Sequence, residues 1–293
     1  MKKFTYLLMA ALFCGSFTAF AQDDEVKVTP AFNDDFEPNF KFDKNTKYYA
    51  IYLDDETKSK LNEDQVVYVG PDKEAGRNLF VWDKQSSFAE NPSGNNSFDV
   101  PGAYMSYIVG GAGWSGIGYN VAATATPLDL SGINDDYKFH IALKATGNDA
   151  VDFYLTDGSG HEAHLVFGST AFDNKEPIAN FERDGEWYNI DIPMTYLEDN
   201  FGLSFKNDKE YKDKNILCLL AGDKAGFTID YDAVFFYGPK NSSTGIKEIQ
   251  TETKNGAAQY FTVDGKQVTA AQVKATKGLY LVKQNGKTKK VIL

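Results

Sequence analysis

Sulfur and imidazole are scarce in this 293-residue chain, which holds two cysteines, four methionines and three histidines. Cys14 falls inside the apolar run that opens the sequence, so Cys218 in "NILCLLAG" stands alone in the remainder. A lone thiol forms no internal disulfide and serves among apolar neighbours as a small hydrophobe. A disulfide-stapled scaffold is excluded, and stability must come from a packed core, which a chain of this length can supply. His161 and His164 sit in "HEAH", which misses the HExxH spacing. On a strand these two side chains point to opposite faces, which argues against a shared zinc ion.

Positive charge is also short. Thirty lysines and arginines face forty-one acids, for a net charge of −11. That balance disfavours nucleic acid and anionic lipid as partners and favours neutral or cationic ligands. Apolar runs long enough to span a membrane are lacking. So are the common catalytic signatures: there is no P-loop and no GxGxxG before a helix. Ser115 has Gly113 two residues before it but Ile117 two after, so it fails the nucleophile-elbow pattern. With so many acids, some pair at glycosidase spacing is inevitable, and their number assigns no catalytic residue.

What is present begins with an address. Lys2 and Lys3 precede an apolar run to about Phe17, and Ala19-Phe20-Ala21 fits a small-x-small cleavage site, so residues 1–21 read as a signal peptide. Phe13 stands where a lipoprotein leader needs a small residue before Cys14, which argues against lipidation. Residues 22–45 form an acidic, aperiodic lead-in. From 46 to 240, short aromatic and β-branched runs alternate with Gly, Asn, Asp and Pro loops, among them "YYAIYL", "NLFVWD", "GIGYNVAA", "YKFHIALKA" and "FTIDYDAVFFYG". This texture predicts an all-β fold, a jelly-roll β-sandwich. Short helical turns are expected within 54–65 and 194–201. A polar linker, 241–256, leads to a small C-terminal β-module, 257–293, with hairpin turns at Asp264-Gly265 and Asn285-Gly286.

Period-two alternation assigns faces. Phe139, Ile141 and Leu143 oppose Lys138, His140 and Lys144; Val151, Phe153 and Leu155 oppose Asp152, Tyr154 and Thr156; Tyr188, Ile190 and Ile192 oppose Trp187, Asn189 and Asp191. The second set in each case is expected to be wetted. A wetted face carrying His140, Tyr154, His164, Trp187 and Asn189 is a candidate ligand platform. In "GGAGWSGIGYN", Trp114 shares a strand face with Gly116 and Gly118. Either a flat sugar stacks on its indole, or the indole itself covers the bare glycines; the usual burial of tryptophan favours the second. Trp82 ends "NLFVWD" at a loop boundary and reads equally as a ligand grip or a core anchor. Asp230 and Asp232 share a face and read either as calcium ligands or as solvated edge charges.

Two resemblances add to this. "YFTVDGKQV" followed by "KGLYLVKQNGKTKKVIL" resembles the C-terminal sorting domain of proteins exported by the type IX (Por) secretion system of Bacteroidetes. Gly278, Tyr280, Lys289 and Lys290 carry the likeness, over a segment shorter than full-length members. It implies a protein delivered through the periplasm to the surface or medium, with outer-membrane secretion machinery as a partner. "GWSGIGYNV", "LDLSGINDDYKFHIALKAT" and "FTIDYDAVFFYG" resemble the galactose-binding-like jelly rolls that serve as carbohydrate-binding modules in secreted Bacteroidetes proteins. That resemblance implies a non-catalytic protein whose partner is a glycan or polysaccharide, with a structural calcium as the only cofactor. An adhesive surface protein that binds another protein, or a glycan-active hydrolase or lyase, remain as alternatives, since a fold does not fix a function.

Overall fold

The computed structural model describes residues 40–82, 87–89, 92–110, 115–221, 225–240, 259–262, 265–269, 273, 279–284 and 287–292. The leader, the lead-in up to residue 39, the linker, Trp114 and Gly278 lie outside the described residues. The chain divides into two compact units, Met1–Ser242 and Ser243–Leu293.

The larger unit is a sandwich of two sheets. The front sheet contains β1 (Thr46–Tyr52), β2 (Val66–Tyr68), β7 (Lys138–Lys144), β10 (Tyr188–Pro193) and β12 (Thr228–Pro239), in the order β10-β7-β12-β1-β2. Alongside β12 lies β5 (Met105–Ile108), which carries the short β4 (Ser87–Phe88). The back sheet runs β3 (Arg77–Val81), β6 (Gly116–Val121), β11 (Lys214–Leu220), β8 (Val151–Thr156), β9 (Glu162–Phe167). The named strands pair antiparallel except β1 with β2, and an isolated parallel bridge joins Phe167 to Ala179. Successive strands pass repeatedly from one sheet to the other, the winding of a jelly roll.

The inward faces are those assigned by alternation. Phe139, Ile141, Leu143, Val151, Phe153, Leu155, Ile190 and Ile192 are fully buried in the core between the sheets. Each such side chain stabilises the fold by roughly 1.5–3 kcal/mol relative to exposure. Two helices close loops where expected. Asp54 caps α1 (Asp55–Ser59) by accepting from the Thr57 N–H at 2.8 Å. α2 (Met194–Phe201) stops at Gly202, whose φ of 71° fits the left-handed helix end that glycine tolerates.

The smaller unit is a four-stranded antiparallel sheet, β14-β13-β15-β16, from β13 (Gln259–Thr262), β14 (Gln267–Val268), β15 (Leu279–Gln284) and β16 (Lys287–Ile292). Tyr280 is buried on β15, and Lys289 and Lys290 fall on β16. Gln284, the last residue of β15, pairs with Lys287, the first of β16; Asn285 and Gly286, where the sequence expects a hairpin turn, lie outside the described residues.

Candidate functional site

The outer face of the back sheet gathers three of the expected ligand residues: Trp82, Tyr154 and His164. One row of paired positions crosses all five strands, Phe80–Gly118–Cys218–Tyr154–His164. Phe80 is 48% exposed, and it is the one large exposed apolar side chain among the described residues. A second row sets Asn78, Asn120 and Asn215 side by side, with Asn120 Nδ2 donating to Asn215 Oδ1 at 3.1 Å.

Trp82, two residues beyond Phe80, shares that face and lies across the glycines of β6. A methyl group added at Gly116 would stand 2.5 Å from Trp82 Cε3, and one at Gly118 would stand 3.2 Å from Cζ2. The glycines are there because the indole needs the room. Trp114, which the sequence reading set beside these glycines, lies outside the described residues; the aromatic seen against them is Trp82, which follows β3. The six-membered part of the indole lies against these two glycines, and Trp82 as a whole is partly buried. Asn78, Phe80 and the cross-strand pairing of Trp82 with the glycines escaped the sequence reading, although the alternation in "NLFVW" put all three on one side.

At the far end of the row the chemistry turns polar. Tyr154 and His164 are tilted ring neighbours at 4.9 Å, and His164 Nδ1 is 2.6 Å from Asp152 Oδ2. Glu162 Oε2 is 3.4 Å from the other ring nitrogen. Asp152 was expected on a wetted face; it is fully buried beneath this group. His161 turns away to Asp157, 2.8 Å distant, so the two histidines of "HEAH" serve separate carboxylates.

The remaining expected residues lie on the outer face of the front sheet, which is covered. Trp187 donates Nε1 to Asn95 O at 2.9 Å, meets Tyr104 edge-on at 5.3 Å, and has the Lys144 ammonium 4.6 Å from its ring centroid. Its partners are its own chain's. His140 was expected to be wetted and is 0% exposed. The reason is a second aromatic layer: Phe40 packs on its ring at 4.5 Å and Phe235 stacks at 4.6 Å. Asn189, also expected at the surface, is buried as well, paired with Ala142 on the neighbouring strand.

Asp230 and Asp232 share this face. The cation beside Asp230 Oδ2 is Lys144, at 3.3 Å. Asp232 Oδ2 accepts from the Ser97 N–H at 3.0 Å and the Ser97 hydroxyl at 2.6 Å. Calcium wants six to eight oxygens, and the described residues contain no cluster of three or more histidine, cysteine or acidic side chains placed to hold a metal.

No family model matches the chain. No curated protein matches it. Among solved structures, a variant of a family 29 carbohydrate-binding module is 7% identical, covering 68% of this chain and 97% of its own, with a TM-score of 0.30. The family 11 carbohydrate-binding module from Clostridium thermocellum, in complex with a β-1,3-1,4-mixed-linked tetrasaccharide, is 12% identical over 56% of this chain and 89% of its own, at 0.33. An exo-β-agarase is 14% identical over 64% of this chain but only 25% of its own, at 0.35. Likeness at this level assigns nothing to this chain, and the ligand is left to be read from the residues.

Proposed function

We propose that the protein is an exported, non-catalytic glycan-binding protein that takes saccharide on the outer face of the back sheet. One observation carries the reading: the Trp82 indole lies flat on Gly116 and Gly118, beside a row of three asparagine amides and in line with Tyr154. A sugar ring has an apolar C–H face and a rim of hydroxyls. The indole offers the first a flat partner, and the amides, which both donate and accept, suit the second. Among the described residues, the outward strand positions of this face carry no lysine or arginine of the kind an anionic ligand would need, and Glu162 at its end suits neutral or cationic sugars. The flat indole and the neighbouring amides suit binding, and binding rather than hydrolysis is the reading we propose.

The test is glycan-array screening of the full chain, followed by titration of Trp82→Ala and Tyr154→Ala. Loss of binding at least tenfold, with the fold retained, supports the proposal. Unchanged affinity in Trp82→Ala, or retention of a protein partner with no glycan bound, favours the adhesive alternative. For the export part, the leader and the sorting-like tail predict that deleting residues 257–293 traps the protein in the periplasm. Unchanged delivery to the surface or medium removes the tail from that role.

A further inference from the structure

The front sheet's outer face is closed by two pieces of the chain itself. One is the strap at the start of the described residues, whose Phe40 and Phe42 pack on His140, Phe235, Tyr237, Tyr48 and Phe98. The other is the loop that sends Ser97 to Asp232 and Asn95 to Trp187. Phe235 and Tyr237 face outward because β12 bulges between Asp232 and Phe235, with Ala233 held at a φ of 52°. A non-glycine residue in that region is strained, and such bulges re-aim side chains.

The cover fits the aromatic part of this face and not the polar part. Both amide atoms of Asn189, the Nε2 of His140 and the Oδ1 of Asp232 are buried without a hydrogen-bond partner. Asn189 and Asp232 pair with Ala142 from its two sides, and His140 is two residues before Ala142 on the same strand face. His140 Nδ1 is 2.8 Å from Asp191 Oδ1, an arrangement in which the neutral ring donates there and presents Nε2 as an acceptor. The cluster therefore offers one donor and three acceptors, set on an aromatic floor. Buried polar atoms left unmatched are costly, and phenyl rings cannot match them.

We propose that this face is a second saccharide site, and that the Phe40–Phe42 strap is its built-in competitor. Hydroxyls of the sugar donate to Asp232 Oδ1 and His140 Nε2 and exchange hydrogen bonds with the Asn189 amide, while its C–H face takes the place of Phe40 over Phe235 and Tyr237. The proposal rests on the reading of the protein as a glycan binder but uses a different face. A site whose competent state is a minor one shows an affinity reduced by the open fraction, so removing the strap's rings tightens it.

The experiment uses the full chain and the saccharides of the array. Trp82→Ala silences the open face. Adding Phe40→Ala, or Phe40→Ala with Phe42→Ala, is expected to restore binding by about tenfold or more over Trp82→Ala alone. The single substitution leaves Phe42 and β1 in place, should the double variant fail to fold. Asn189→Leu on that background is expected to abolish the new binding without lowering Tm, because Asn189 makes no side-chain hydrogen bond to lose. A folded strap variant that binds no more sugar than Trp82→Ala, or binding that survives Asn189→Leu, overturns the second site. Wild-type binding lost in Trp82→Ala with no gain in the strap variants leaves the open-face reading standing and removes this one. Binding seen only when the strap is opened does the reverse.

Discussion

Tyr119 on β6 and Tyr231 on β12 bring their hydroxyls to 2.8 Å across the sandwich interior, the two rings buried and on opposite sheets. Burial pushes both phenols up, so each stays neutral and one donates to the other. Tyr119→Phe leaves the Tyr231 hydroxyl without this partner in a dry interior and is expected to cost about 1–3 kcal/mol. Adding Tyr231→Phe removes the orphan, so the double variant should be less unstable than the sum of the singles. Denaturant titration of the four chains checks this; strictly additive losses would mean the hydroxyls are not coupled.

Substitution at Gly116 is the sharpest probe of the open face. A valine there collides with the Trp82 ring, and its Cβ stands 3.0 Å from the Leu219 carbonyl oxygen. The expected result is a loss of about 1–3 kcal/mol and a red shift of indole emission as the ring leaves the trough. Glycan binding should fall with it. Emission and affinity both unchanged would mean that the indole does not depend on the glycines.

Trp187→Phe separates the two faces. Its indole is spent on Asn95, Tyr104 and Lys144. Phenylalanine keeps the ring over Lys144 but deletes the N–H, so stability should drop by about 1 kcal/mol while glycan affinity stays as it was. An affinity loss matching that of Trp82→Ala would move the binding face to the front sheet.

The strands, their inward faces and both helices were legible because alternation and turn residues are local signals. The lids were not. His140 alternates correctly with Phe139 and Ile141, yet it is buried because Phe40, a hundred residues earlier in an aperiodic stretch, lies on top of it. Asp152 was placed on the right face and is hidden for a comparable reason, held under Tyr154 and His164. Alternation tells which side of a sheet a residue is on; it does not tell what covers that side. In the same way, glycines at 116 and 118 announced an aromatic neighbour but not which strand would supply it.

Asp232 gives stability a pH dependence. Burial, only partly offset by the donors of Ser97, lifts its carboxyl from 3.8 to about 6. The folded state thus binds this proton more tightly than the unfolded chain. Its contribution is complete below pH 4 and is lost as pH rises through about 6, a difference of about 3 kcal/mol by neutral pH. Asp232→Asn keeps an oxygen for Ser97 and carries no charge. It should flatten the stability profile between pH 4 and 7 and be the more stable form at pH 7. A profile identical to that of the parent would show that Asp232 titrates as an ordinary carboxylate.

Cys218 lies at the centre of the back sheet, fully enclosed, and burial pushes its thiol up to about 12. The thiolate is the reactive form, so labelling at Cys218 should be negligible at pH 8 in the native protein and rapid in denaturant. Fast native labelling, located by peptide mapping, would mean that the sheet opens there.

The pairing of β1 with β12 has a consequence for biogenesis. Thr46 meets Pro239, and β12 lies between β1 and β7, so the central seam of the front sheet joins the two ends of the sandwich sequence. Contacts at such separation form late and slowly. A nascent chain must be made almost to residue 240 before that seam can zip, and until then it is a thread that a narrow conduit could still pass.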